Sequence, residues 1–159
     1  MSSRYASTTE VPLDRSRGEI ERIVTKHGAS SYAYGWQGAN AVITFDLKGR
    51  RYRFRVPLPD RDAREFNFTE GRGTRRSADA AETLWLQACR ARWRALVLII
   101  KAKFVAVEDG IVSIEEEFLP YVVMPDGRTV SELAQPAIET AYATGEMRPL
   151  LELPAGSGS

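Results

Sequence analysis

At 159 residues, with 43% hydrophobic and 27% charged side chains, the chain can bury one core and gives no ground for a second independent domain. One cysteine, Cys89, excludes an internal disulfide framework, and the longest apolar run, Ala95 to Ile100, falls far short of the roughly 20 residues a membrane-spanning helix needs. The net charge of +1 conceals a segregation: residues 1–47 carry five basic and five acidic side chains, residues 48–103 fifteen and six, and residues 104–159 two and ten.

The opening MSSRYASTTEVPLD has no apolar signal core, so a soluble protein of a reducing cytoplasm is expected. The first helix is predicted to begin at Asp14, a good N-cap, and to run to Gly28, with Ile20, Ile23 and Val24 as its apolar stripe. Ser31 to Gln37, Asn40 to Leu47 and Arg50 to Val56 read as three strands, because their apolar residues alternate. Lys48-Gly49 suits a two-residue hairpin turn, where glycine supplies the positive φ.

That turn fixes a register. It pairs Leu47 with Arg50, Phe45 with Tyr52, Ile43 with Phe54 and Ala41 with Val56 on one face. On the other it pairs Asp46 with Arg51, Thr44 with Arg53 and Val42 with Arg55, and a Gly38-Ala39 turn sets Ala33, Gly35 and Gln37 alongside. One face is then aromatic and aliphatic, the other small and cationic. The same register assigns Tyr32, Tyr34 and Trp36 to the core face, although their type would suit base stacking.

Residues 57–76 form a long arginine-rich connection with Pro57, Pro59, Gly71 and Gly73, read as a flexible loop. Ser77 caps a dominant helix from Ala78 to about Asp109. On a helical projection Arg90, Arg94 and Lys101 share a polar stripe opposite Trp85, Cys89, Leu96, Ile100 and Val107, with Arg92 and Lys103 among the apolar set. Two capping boxes, Ser113 with Glu116 and Thr129 with Glu132, predict short C-terminal helices, which Pro120 and Pro136 should keep short. The expected architecture is α+β: helix, three-stranded antiparallel meander, long helix, short C-terminal helices. It forms a single domain over 1–145, with a basic core at 14–109, an acidic helical part at 110–145 and a flexible tail at 146–159.

No constellation in this order of residues carries catalysis. One histidine and one cysteine cannot build the usual zinc site, and Cys89 lies on an apolar stripe as a core thiol would. His27 reads as a helix C-terminal residue that favours the dipole. Glu115, Glu116 and Glu117 are consecutive, so on a helix they point in different directions, and Gly71-Arg72-Gly73 lacks the third glycine of a dinucleotide loop.

What remains is arginine, whose planar fork pairs with phosphate. Arg51, Arg53 and Arg55 on one strand face, Arg72, Arg75 and Arg76 in the loop, and Arg90, Arg94 and Lys101 on the long helix are the expected contacts for a nucleic-acid backbone. The alternative for the strand residues is a solvated face paired with Asp46. For the charge segregation it is an acidic third that folds back on the basic block.

From Tyr34 to Lys103, the segments YGWQG, RYRFRVPLPD, GRGTRRS and ACRARWRALVLIIKAK resemble small uncharacterised proteins of bacteriophages and prophages. The order helix, meander, long helix also resembles the core of Rad52-like phage single-strand annealing proteins. That second resemblance implies a ring or filament of subunits that holds single-stranded DNA in a basic groove between sheet and helix, with no cofactor. The expectation is thus a non-enzymatic, homo-oligomeric, single-stranded-DNA-binding and annealing protein. A phage accessory or anti-defence protein, docking a host protein or a small anion through its acidic block or its leucine tail, is the alternative. A metal-dependent nuclease using Asp60, Asp62 and Glu65 is a third reading.

Overall fold

The computed structural model describes the backbone of residues 3–151 and the side chains from Arg15 onward; within it the elements follow the expected order. They are α1 (Ser3–Lys26), β1 (Ser31–Gln37), β2 (Asn40–Leu47), β3 (Arg50–Pro57), α2 (Arg64–Asn67), α3 (Ala78–Glu108), α4 (Ile114–Glu117), a 3-10 turn at Leu119–Tyr121, and α5 (Val130–Thr144). The fold is α+β. The part of the expected tail at 152–159 lies outside the described residues.

The sheet has order β1-β2-β3, and all seven expected β2–β3 pairs form, from Ala41 with Val56 to Leu47 with Arg50. Ala33, Gly35 and Gln37 stand beside Thr44, Val42 and Asn40, as the Gly38-Ala39 turn requires. Lys48 and Gly49 both take positive φ, 51° and 75°, which is what a turn whose twist matches the strands needs.

Helices α1 and α3 lie side by side on the aromatic face of the sheet. Ile20 and Val24 from α1, the inward residues of β2 and β3, and Cys89, Trp93, Val97, Ile100 and Phe104 from α3 make one buried core. Phe118, fully buried just after α4, closes it from below. Its ring meets Phe104 at 4.9 Å, Tyr52 at 5.6 Å, and Phe45 and Phe54 at 6.2 Å.

Three local expectations need correction. The first helix starts at Ser3 and not at Asp14: no glycine interrupts the preceding residues, and Pro12 removes only one ladder hydrogen bond. Pro136 does not stop α5, which runs 15 residues with the proline inside. A full capping box at Thr129 and Glu132 and the burial of Leu133 and Ala134 hold the first turns, so the loss of one donor is absorbed.

The connection after β3 is not a loose loop. Phe68 and Arg75 form an antiparallel bridge, Thr69 N–H donates to Thr74 O at 2.8 Å, and Arg76 N–H to Asn67 O at 2.7 Å. Buried Phe66 pins α2, Trp85 Nε1 donates to Pro59 O at 2.8 Å, and Arg61 pairs with Glu82 at 2.6 Å. This folds residues 57–77 against the first half of α3 and presents Glu70, Gly71, Arg72 and Gly73 as a hairpin tip.

Candidate anion-binding surfaces

The nine cations expected to hold phosphate fall into three separate places. Arg51, Arg53 and Arg55 share the outer face of β3, because alternate strand residues point the same way. Arg90, Arg94 and Lys101 lie on α3, which packs on the other face of the sheet. Arg72, Arg75 and Arg76 belong to the hairpin at the start of α3. The groove between sheet and helix implied by the annealing-protein resemblance is therefore core here.

The strand arginines are occupied. Arg51 makes a bidentate pair with its cross-strand neighbour Asp46, at 2.8 and 3.1 Å. This hydrogen bond, with one from Ser31, holds the Asp46 carboxyl below its usual range. Arg53 donates to Gly127 O at 2.8 Å and to Glu132 at 3.3 Å, while Arg55 reaches the other oxygen of Glu132 at 2.9 Å. The acidic third does fold back: Val123 N–H donates to Arg51 O at 2.8 Å, and the turn that follows delivers Glu132 to the arginine face.

On α3, Arg94 and Lys101 converge on one carboxylate, Glu19 of α1, at 3.2 and 2.5 Å. Glu19 is held below its ordinary value, chiefly by the hydrogen bond from Lys101. Arg92 and Lys103, which the projection placed among apolar residues, leave the core by reaching outward. Arg92 donates to Pro57 O at 3.4 Å, and Lys103 pairs with Glu117 at 3.1 Å while lying 5.1 Å from the Tyr121 ring.

The hairpin arginines differ. Among the described residues no carboxylate pairs with Arg64, Arg72, Arg75, Arg76 or Arg90. Arg72 and Arg75 are exposed, Arg64 stacks on the Phe68 ring at 4.9 Å, and the Nε of Arg76 is buried without a partner. Arg64, which sequence reasoning passed over, also lies 3.0 Å from the space a Cβ would fill at Gly73, so a glycine there keeps the guanidinium against the hairpin.

The aromatics of β1 are only partly core. Tyr32 is half-buried and its hydroxyl donates to Arg17 O at 3.1 Å, with its ionisation pushed up by burial. Tyr34 and Trp36 are on the expected face but 53% and 59% exposed, because β1 is an edge strand that α1 covers chiefly at Tyr32. The Arg17 guanidinium lies over the Tyr34 ring at 4.1 Å. Trp36 sits at the end of the sheet where the arginine-rich connection departs: its β2 partner Ala41 pairs with Val56, and Leu58 N–H donates to Ala39 O at 3.2 Å.

Cys89 is a core thiol, 1% exposed, with its ionisation raised to about 11 by burial. His27 does more than meet a helix dipole. Its Nδ1 faces Ile23 O at 2.8 Å, its Nε2 faces Glu108 at 2.7 Å, and its ring stacks on Phe104 at 4.1 Å, tying α1 to α3. Among the described residues no three His, Cys, Asp or Glu side chains are grouped as metal ligands, and no helix is long and apolar enough to cross a membrane. No family model, curated protein or solved structure matches the chain.

Proposed function

We propose that this protein binds single-stranded nucleic acid through its phosphates, with the 64–76 hairpin as the phosphate site and Trp36 as a stacking surface, and that it uses no cofactor. The observation that carries the reading is the pairing of charges. The basic block has spent its sheet-face cations on Asp46 and Glu132, whereas Arg64, Arg72, Arg75 and Arg76 of the one hairpin pair with no carboxylate among the described residues. Single-stranded DNA as the strand and annealing as the use are the part of the proposal that rests on element order alone.

Fluorescence anisotropy with a labelled single-stranded oligonucleotide tests it. Binding is expected at low salt and should weaken steeply as salt rises, through counterion release. Trp36→Ala should weaken it by about 1–3 kcal/mol, the worth of one stacked base. No binding at low salt would overturn the proposal. A second reading has its own observation: Tyr142 and Met147 at the C-terminal end are 91% and 83% exposed, with Leu150 and Leu151 nearby, a surface suited to docking on a host protein. Tight binding to a protein partner with no affinity for oligonucleotide would favour that reading.

A further inference from the structure

The solvent side of α3 carries a second apolar stripe that the fold leaves open. Ala91, Ala95, Leu98, Ala102 and Val105 are all exposed, Leu98 by 57% and Val105 by 51%, and Ile99 beside them by 47%. Their spacing alternates four and three residues, and half-buried Leu84 and Ala88 continue it toward the helix start. A 3.5-residue repeat along one side of a helix is the pattern of a helix–helix seam, not of a solvated face. The core stripe of Cys89, Trp93, Ile100 and Phe104 takes the opposite side, so α3 is apolar on both.

We propose that this seam docks a second copy of the chain, α3 against α3, in antiparallel orientation. The seam is self-complementary only when reversed. Antiparallel pairing about the midpoint between Ala95 and Leu98 sets Leu98 against Ala95 and Val105 against Ala88, with Ala102 against Ala91 as a close-packed small layer between them. A parallel pair would stack Leu98 on Leu98 and leave gaps at every alanine layer.

Charge selects the same orientation. The packed connection brings residues 57–94, with eight arginines against six carboxylates, to one end of α3. Residues 101–117, with two lysines against five carboxylates, gather at the other end, where Lys103 holds Glu117. Reversal brings unlike ends together; a parallel pair sets like on like. Glu19 already bridges Arg94 and Lys101 on the polar stripe beside the seam, which leaves Arg90 as the cation of that edge with no carboxylate among the described residues.

Sedimentation velocity over a concentration series tests the docking. A mass twice 17.8 kDa should appear as concentration rises. Leu98→Glu, at an exposed site that leaves the core alone, should weaken association at least about tenfold by placing an unpaired charge in the seam. A monomer at every concentration, or a dimer indifferent to Leu98→Glu, overturns the proposal. Orientation is read by oxidative cross-linking in a Cys89→Ser background. Mixed Ala91→Cys and Ala102→Cys proteins should couple to each other; if each couples only to itself, the antiparallel pairing is wrong. Neither readout involves an anion, so this inference and the nucleic-acid reading fail independently.

Discussion

Lys48 holds a left-handed backbone at φ 51°, the only non-glycine among the described residues to do so, and it carries the cost of a Cβ in that region so that the β2–β3 turn can match the strand twist. Asparagine is the residue this turn position favours. Lys48→Asn is therefore expected to stabilise the fold by about 0.5–1 kcal/mol, read as a shifted urea midpoint with unchanged slope. An unchanged or lowered midpoint would mean that the lysine contributes something the turn geometry does not account for. At the same scale, Glu132 serves two structures at once. Its carboxylate accepts from the Thr129 N–H at 2.9 Å, completing the cap of α5, and it neutralises Arg53 and Arg55. Glu132→Ala should cost about 1–3 kcal/mol, and Glu132→Gln less, because the amide oxygen keeps the cap while losing the charge. Equal urea midpoints for the two variants would separate the cap from the pairing as the source of the loss.

At the scale of elements, the sequence was most legible where several local signals agreed. The meander could be read to the residue because alternation, a Lys-Gly turn and cross-strand charge all demanded one register. The caps at Ser77, Ser113 and Thr129 were equally plain, each satisfying backbone donors a helix start leaves open. What could not be read was anything set by a distant partner. That Tyr34 and Trp36 would face the core side yet stay exposed depends on how far α1 reaches over β1. That residues 57–77 would fold into a tied hairpin depends on Phe66, Trp85 and Glu82 holding it from elsewhere. Phe118 gave no sequence sign of its centrality, standing alone after an acidic turn. Phe118→Ala should therefore be among the costliest single changes, about 3–5 kcal/mol, since four buried rings lose a neighbour at once. Thermal unfolding would check it; a loss under about 1 kcal/mol would mean that the rings close over the cavity.

At the scale of the whole molecule, charge segregation along the chain becomes charge pairing in space. The helical part of the acidic third folds back on the basic block: Glu115, Glu117 and Glu132 approach Arg50, Lys103, Arg53 and Arg55 within the same chain. The alternatives left open by the sequence are divided for the sheet face, which is paired internally, while among the described residues the hairpin arginines pair with no carboxylate. The candidate site is thus smaller than the nine cations the sequence proposed, and it includes Arg64, which only the geometry brings in.

The slope of log affinity against log salt for a single-stranded oligonucleotide tests this division most directly, measured for the wild-type chain and two triple variants. Arg72→Ala, Arg75→Ala and Arg76→Ala together should lower the slope by about two, at roughly 0.7 for each phosphate no longer neutralised, and cut affinity throughout the series. Arg51→Ala, Arg53→Ala and Arg55→Ala together should leave the slope near that of the wild type, provided circular dichroism shows the sheet intact. A sheet-face variant that loses the salt dependence while the hairpin variant keeps it would contradict the account.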